Sequence, residues 1–263
     1  RMLEILDTSW DVATAMGNRG QLLAVAAARF RLASDDTEVR RLFLETASAA
    51  RDNDEALRRV RPALELALDR TGNDLAALSV LGELFRAAGD VALAENCFER
   101  VLLGNPVDAA ALTFLSQRAE VRNDFRRAAS LKERLAHELP DDGERFDLLL
   151  SAGDLWLRAK GQVATALRAY EEALDLRPRD QLLLRTLAGL YTDQEAWERV
   201  APIQRALCEI EVEPDRKAKM LTSLAQLLED RIGDATAATD ALEEALELDA
   251  TRLDAFERLV RLY

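Results

Sequence analysis

The side chains able to do chemistry are thinly spread along this 263-residue chain. Two adjacent carboxylate pairs, Glu171-Glu172 and Glu243-Glu244, come nearest to a general acid–base couple. Such a couple must address one substrate from positioned, converging groups. Adjacent residues on a helix point in different directions, and both pairs fall on second helices, at the edge expected to face solvent. The one histidine, His137, cannot assemble a metal cluster or pair with a second imidazole. Cys97 and Cys208 each fall inside a helical segment and read as small buried hydrophobes rather than a disulfide or a nucleophile. No Gly-rich phosphate loop, nucleophile elbow or metal-ligand spacing occurs. The chain is expected to be no enzyme and to need no cofactor and no metal.

What surrounds these residues is helix-forming. Hydrophobic residues make up 49% of the chain, mostly Ala and Leu, and charged residues 32%. Ala, Leu, Glu and Arg favour helices, no β-branched run suggests a strand, and the six prolines fall mostly at segment ends. The net charge is −13, with residues 1–72 nearly balanced at 11 basic and 12 acidic and the later part holding 24 basic and 36 acidic. Nucleic acid and anionic membranes would be repelled and a basic partner steered in, although acidic excess also serves solubility alone. An aromatic share of 5% is poor for base-stacking platforms. No apolar run approaches the ~18 residues of a membrane span, no secretory signal is visible, and a cytoplasmic location is expected, although in a fragment the missing signals carry little weight. The chain begins without Met and stops at Tyr263 within a helical pattern, which reads as a monomeric fragment of a longer protein. The abundance of Ala, Leu and Arg suggests a high-GC bacterial origin.

The organising stretch is Leu75–Pro106, two amphipathic helices split by Ala88-Gly89-Asp90. Its key residues run Leu78, Leu81, Gly82, Phe85, then Ala94, Phe98, Val101 and Pro106. Small residues stand where two helices approach, large apolar ones beside them. The pattern returns downstream. Leu112, Leu115, Ser116, Ala119 and Ala128 lead to Pro140, with Lys132 at the place of Phe98. Leu149, Ala152, Gly153, Trp156, Ala166 and Tyr170 lead to Pro178 with one extra turn residue. Leu184, Leu187, Ala188, Tyr191 and Val200 lead to Pro214, and Leu224, Ala225, Leu228, Ala238 and Leu242 to Ala250, again with the extra residue. Asp141-Asp142-Gly143-Glu144 reads as a lengthened linker. Pro62 and Pro202 occupy the same repeat position inside second helices, which suggests a late helix start in both.

This order resembles the tetratricopeptide repeat, a helix–turn–helix unit of about 34 residues. The resemblance implies an all-α, right-handed α-solenoid of stacked antiparallel helix pairs, a single array over residues 1–263. Its units would be 1–35, 36–72, 73–106, 107–142, 143–178, 179–214 and 215–250, with 251–263 the first helix of the next. The first unit can be aligned on Trp10 or, alternatively, on Gly17-Asn18.

In that family the first helix of each pair lines a concave groove. Carried over, the groove includes Glu45 and Thr46, then Val80, Glu83, Arg86, Phe114, Gln117, Leu150, Asp154, Arg185 and Gln226, with Leu157, Leu182, Gly189 and Thr222 among further positions. Phe114 and Val80, apolar at positions expected to be exposed, suggest an anchor pocket; alternatively Phe114 packs on the adjoining helix. The Lys and Asn clamp by which some members hold chaperone tails is absent, since Ser79, Glu83, Phe114 and Leu150 stand there. The implied function is a scaffold or adaptor binding a helical or extended segment of another protein. A regulatory or sensor domain of a larger signalling protein or transcription regulator is the alternative, and a self-assembling array a third.

Overall fold

The computed structural model describes residues 2–18 and 74–263, with isolated positions 21, 24, 25, 28, 29, 32 and 65. The unit assigned to 36–72 lies outside the described residues, and with it Pro62 and the groove positions Glu45 and Thr46. The chain divides into two compact units, 1–138 and 139–263. The first holds α1 (Met2–Ala15), α2 (Leu75–Ala87), α3 (Val91–Gly104), α4 (Ala109–Val121) and α5 (Phe125–Glu138). The second holds α6 (Asp142–Arg158), α7 (Val163–Leu176), α8 (Gln181–Asp193), α9 (Trp197–Ile210), α10 (Pro214–Leu227), α11 (Ala235–Leu248) and α12 (Leu253–Leu262). No strand occurs among the described residues.

From α2 onward the helices pair as hairpins, α2 with α3, α4 with α5, α6 with α7, α8 with α9 and α10 with α11. Within each unit the second helix of one hairpin packs on the first helix of the next. The turns repeat in register. Gly89, Gly161 and Gly233 take φ of 77°, 77° and 79°, and Asn123 and Glu195 take 58° and 56° at the same place. Glycine meets this left-handed requirement without steric cost; Glu195 pays about 1–2 kcal/mol for it.

Helix starts explain part of the acidity. Asp74, Asp108, Asp141, Asp180 and Asp234 stand just before α2, α4, α6, α8 and α11, and each side chain accepts a backbone N–H of the first turn. Such a cap is worth about 1 kcal/mol.

The hairpin core is a small residue facing a large one. Gly82 in α2 lies under the ring of Phe98 in α3, and an added Cβ would come within 2.8 Å of that ring. Gly153 in α6 lies under the ring of Tyr170 in α7, where an added Cβ would again be closer than 3.0 Å. Phe98 and Tyr170 are fully buried, as are Ala94, Ala128, Ala166, Val200 and Ala238 at the small position of the second helices.

Three local expectations are corrected. Asp141-Asp142-Gly143-Glu144 is no linker, because Asp141 caps α6 and the rest forms its first turn. The extra turn residue is absorbed differently in its two hairpins. After α6 it lengthens the turn before Gly161, whereas after α10 it becomes a π-helical turn over Leu228–Ile232, the usual way for a helix to absorb one residue. Pro202 does not delay α9, which begins at Trp197 in the register of its sister helices. Pro202 supplies no N–H to the Glu198 carbonyl, and both residues are exposed, where water can satisfy that oxygen.

In α1, Ala13 is buried and Leu6 and Trp10 half-buried, the spacing read from the sequence, and the Arg29 guanidinium lies 5.7 Å from the Trp10 ring centroid.

Candidate partner-binding face

The first helix of each hairpin turns one side to its own second helix and another to solvent. In unit 1, Val80 on α2 is half-buried. Glu83 and Arg86 pair with each other one turn apart, the carboxylate accepting from Arg86 Nε at 3.1 Å and Nη2 at 2.6 Å. An exposed pair of this kind contributes at most about 1 kcal/mol and leaves little net charge at the spot. Gln117 on α4 is exposed.

Phe114 is corrected. It is only 8% exposed, and its ring meets that of Phe98 with centroids 5.0 Å apart, tilted by 42°. It joins hairpin α2–α3 to α4 rather than serving as an exposed anchor, and the pocket imagined between Phe114 and Val80 loses its main wall. The aromatic that fills α2–α3 thus also seals the contact with the following hairpin.

In unit 2, Leu150 on α6 is half-buried, and Asp154 is exposed but accepts a 2.5 Å hydrogen bond from the Tyr170 hydroxyl. Burial, this bond and the Asp154 charge together push the Tyr170 phenol well above its ordinary pKa. Asp154 therefore orients the ring that Gly153 accommodates. Arg185 and Gly189 on α8 and Gln226 on α10 are exposed, whereas Thr222 is buried and its hydroxyl donates to the Ala218 carbonyl at 2.9 Å. Leu182, one turn before Arg185, is 73% exposed, and Leu157 on α6 is also exposed.

The acidic pairs are not the free solvated edges expected of them. Glu171 accepts from the Tyr191 hydroxyl at 2.5 Å. Glu244 accepts from Arg205 Nη1 at 2.6 Å and lies 3.0 Å from Lys217 Nζ, tying α9, α10 and α11 together. Burial alone would raise the Glu244 carboxyl, but the hydrogen bonds and positive charges of Lys217 and Arg205 hold it below the ordinary carboxylate range. Both pairs are structural, and neither converges on a cleft.

A buried acid escaped the sequence reading: Glu95 on α3 accepts from Arg118 Nε at 3.1 Å on α4 and from Arg122 Nη2 at 2.6 Å just past its end. Both cations reach back to α3 from the end of α4 and its cap, a fact that no local pattern carries.

Both cysteines are free and buried, and burial pushes their thiols up to about 12 for Cys97 and about 11 for Cys208, far from nucleophilic at neutral pH. Among the described residues no His, Cys, Asp and Glu cluster could hold a metal, and no helix is long and apolar enough to cross a membrane.

No family model matches this chain, and no curated protein matches it in sequence. Solved structures do. A tetratricopeptide repeat protein from Parabacteroides merdae is similar over 98% of this chain and 97% of its own, at 14% identity and a TM-score of 0.46. The TPR2AB domain of yeast Sti1, solved as a complex with pHSP90, is similar over 100% and 97%, at 14% identity and 0.45. YrrB, described as a TPR protein with an unusual peptide-binding site, is similar over 74% and 97%, at 15% identity and 0.38. Likenesses this distant concern the fold alone. The described hairpins form an all-α helical repeat whose order of small, large and turn residues resembles the tetratricopeptide repeat.

Proposed function

We propose that this chain is a cytoplasmic, non-catalytic scaffold or adaptor that binds a helical or extended segment of another protein along the exposed side of its first helices. The observation carrying this reading is Leu182, an apolar side chain left 73% exposed at a groove position of the repeat, beside the exposed Arg185 and on the face that Gln226 shares by register. Leu182 supplies apolar contact area and its polar neighbours a rim on the first-helix side. The net charge of −13 favours a partner segment with basic residues and disfavours nucleic acid.

The test is affinity capture with the wild-type chain and with a Leu182→Arg, Gly189→Arg, Gln226→Arg triple variant, which removes the apolar contact and repels a basic segment at exposed positions. Leu103→Glu, at an equally exposed site on the second helix α3, is the control. A partner held by the wild type and the control but weakened at least about tenfold by the triple variant fits the reading. Equal capture by all three would remove this face from consideration.

A further inference from the structure

Helix α12 has one side fastened and another open. Ala255 is fully buried against α11, Leu259 and Leu262 pack on the same cluster, and Arg258 pairs with Glu229 and Asp230 of the π-helical turn. On the adjoining side Leu253, Phe256, Val260 and Tyr263 are between 55% and 83% exposed. Their spacing of three, four and three residues sets them along one seam of the helix. Counted from the residue before each helix, Phe256, Val260 and Tyr263 take the places of Leu78, Gly82 and Phe85 in α2, which are buried in the α2–α3 hairpin. Core positions of the repeat are therefore uncovered in α12.

A second helix of the usual kind does not suit this seam. The middle place holds Gly82, Ser116, Gly153, Ala188 and Ala225 in the five hairpins from α2 to α11, all small, but Val260 in α12. A ring set as Phe98 is over Gly82, within 3.0 Å of an added Cβ, has no room over a valine. The seam instead matches itself. Turned antiparallel about its centre, Leu253 faces Tyr263 of a second copy and Phe256 faces its Val260. The charges on the flank agree. Glu257 and Arg261 are both exposed, and neither forms an ion pair among the described residues; Arg261 Nε reaches only the Glu257 carbonyl, at 3.4 Å. In an antiparallel two-fold pair each Glu257 comes beside the other copy's Arg261, and the contact occurs twice by symmetry. A parallel pair would set these flanks on opposite edges. Helix α1 and its end carry a comparable exposed run, Met2, Ile5, Val12 and Met16, but every charge within α1 is acidic, so it has no such match to itself.

We propose that α12 is a self-association face, on which the α12 seam of a second copy of this chain lies antiparallel about a two-fold axis. Each copy supplies the cover that a second helix supplies elsewhere in the array. The Tyr263 hydroxyl donates to Glu243 Oε1 at 2.5 Å, which sets the ring in place before contact and lowers the cost of ordering it. The 10 residues of α12 make a helix only about 15 Å long. One helix face of that length falls short of the about 800 Å² per partner of a standard stable interface, so the dimer is concentration-dependent and in the micromolar range. The contact is closed, and association stops at two copies. This departs from the monomer expected from the sequence, and it uses no residue of the docking face on α8 and α10.

The experiment is sedimentation equilibrium of the full chain from about 1 to about 200 µM, the range in which a small interface forms and dissociates. The expected average mass rises from that of one chain toward that of two and no further. A Phe256→Glu, Val260→Glu variant sets carboxylates along the seam and should weaken dimerisation at least about tenfold, with helix content unchanged because both residues are exposed in the single chain. Glu257→Arg and Arg261→Glu, each alone, bring like charges together and should weaken it about threefold or more, and the two combined should restore it. This swap decides the question if the seam variant folds poorly. A chain that stays monomeric at the highest concentration, a mass that grows past two copies as α1 joins α12 head to tail, or single swaps that leave dimerisation unaltered would each overturn the proposal.

Discussion

Phe98 shows how much one residue position decides in this chain. Its ring covers Gly82 on one side and meets Phe114 of the next hairpin on the other, so intra-hairpin and inter-hairpin packing run through a single side chain. Replacing Gly82 by Leu would drive several heavy atoms into that ring. Overpacking of a filled core costs about 1–3 kcal/mol, and a thermal melt of Gly82→Leu is expected to fall by roughly 5 °C or more; an unshifted melt would deny Gly82 its packing role. The partnership of small and large residues was legible, because spacing alone brings Gly82 to Phe98 and Gly153 to Tyr170. The burial of Phe114 was not, because a groove position carried over from a family says nothing about which neighbour the side chain meets. Lys132 was readable as an exception to the aromatic position; Gln204, at the same place in α9, was not singled out.

At the scale of the element, polar residues do more fastening than the periodicity suggests. Glu244 joins three helices of unit 2 through Arg205 and Lys217. Because its carboxyl is held below the ordinary range, its contribution is complete above the unfolded carboxylate pKa, about 4.3, and disappears as pH falls through the depressed folded value. At neutral pH a Glu244→Gln variant should melt lower than wild type, by less than about 1 kcal/mol since the pair is partly solvated. The gap should close as pH is taken from about 7 to about 3; a gap that widens in acid would contradict the assignment. Helix existence and turn positions were legible from amphipathic spacing and Gly residues. The π-helical turn at Leu228–Ile232 and the early start of α6 were not. One inserted residue can enter either a loop or a helix, and the choice depends on what each neighbour packs against.

At the scale of the whole molecule, the negative charge has two origins that composition cannot separate. Five aspartates begin helices, and Glu95 and Glu244 bind pairs of cations between helices, so part of the excess answers to folding rather than to a partner. The acids still act together at long range, and it is this sum that favours a basic ligand. Hairpin α8–α9 combines three local weaknesses: no aromatic filler over Ala188, a proline within α9, and Glu195 in a left-handed turn. In a repeat each hairpin leans only on those beside it, so such defects are not averaged away. Deuterium uptake should therefore be faster over residues 181–210 than over α6–α7 before it or α10–α11 after it; uniform uptake across the three would contradict this. Unit 2 would then loosen at its middle, like a zipper parting at a damaged tooth.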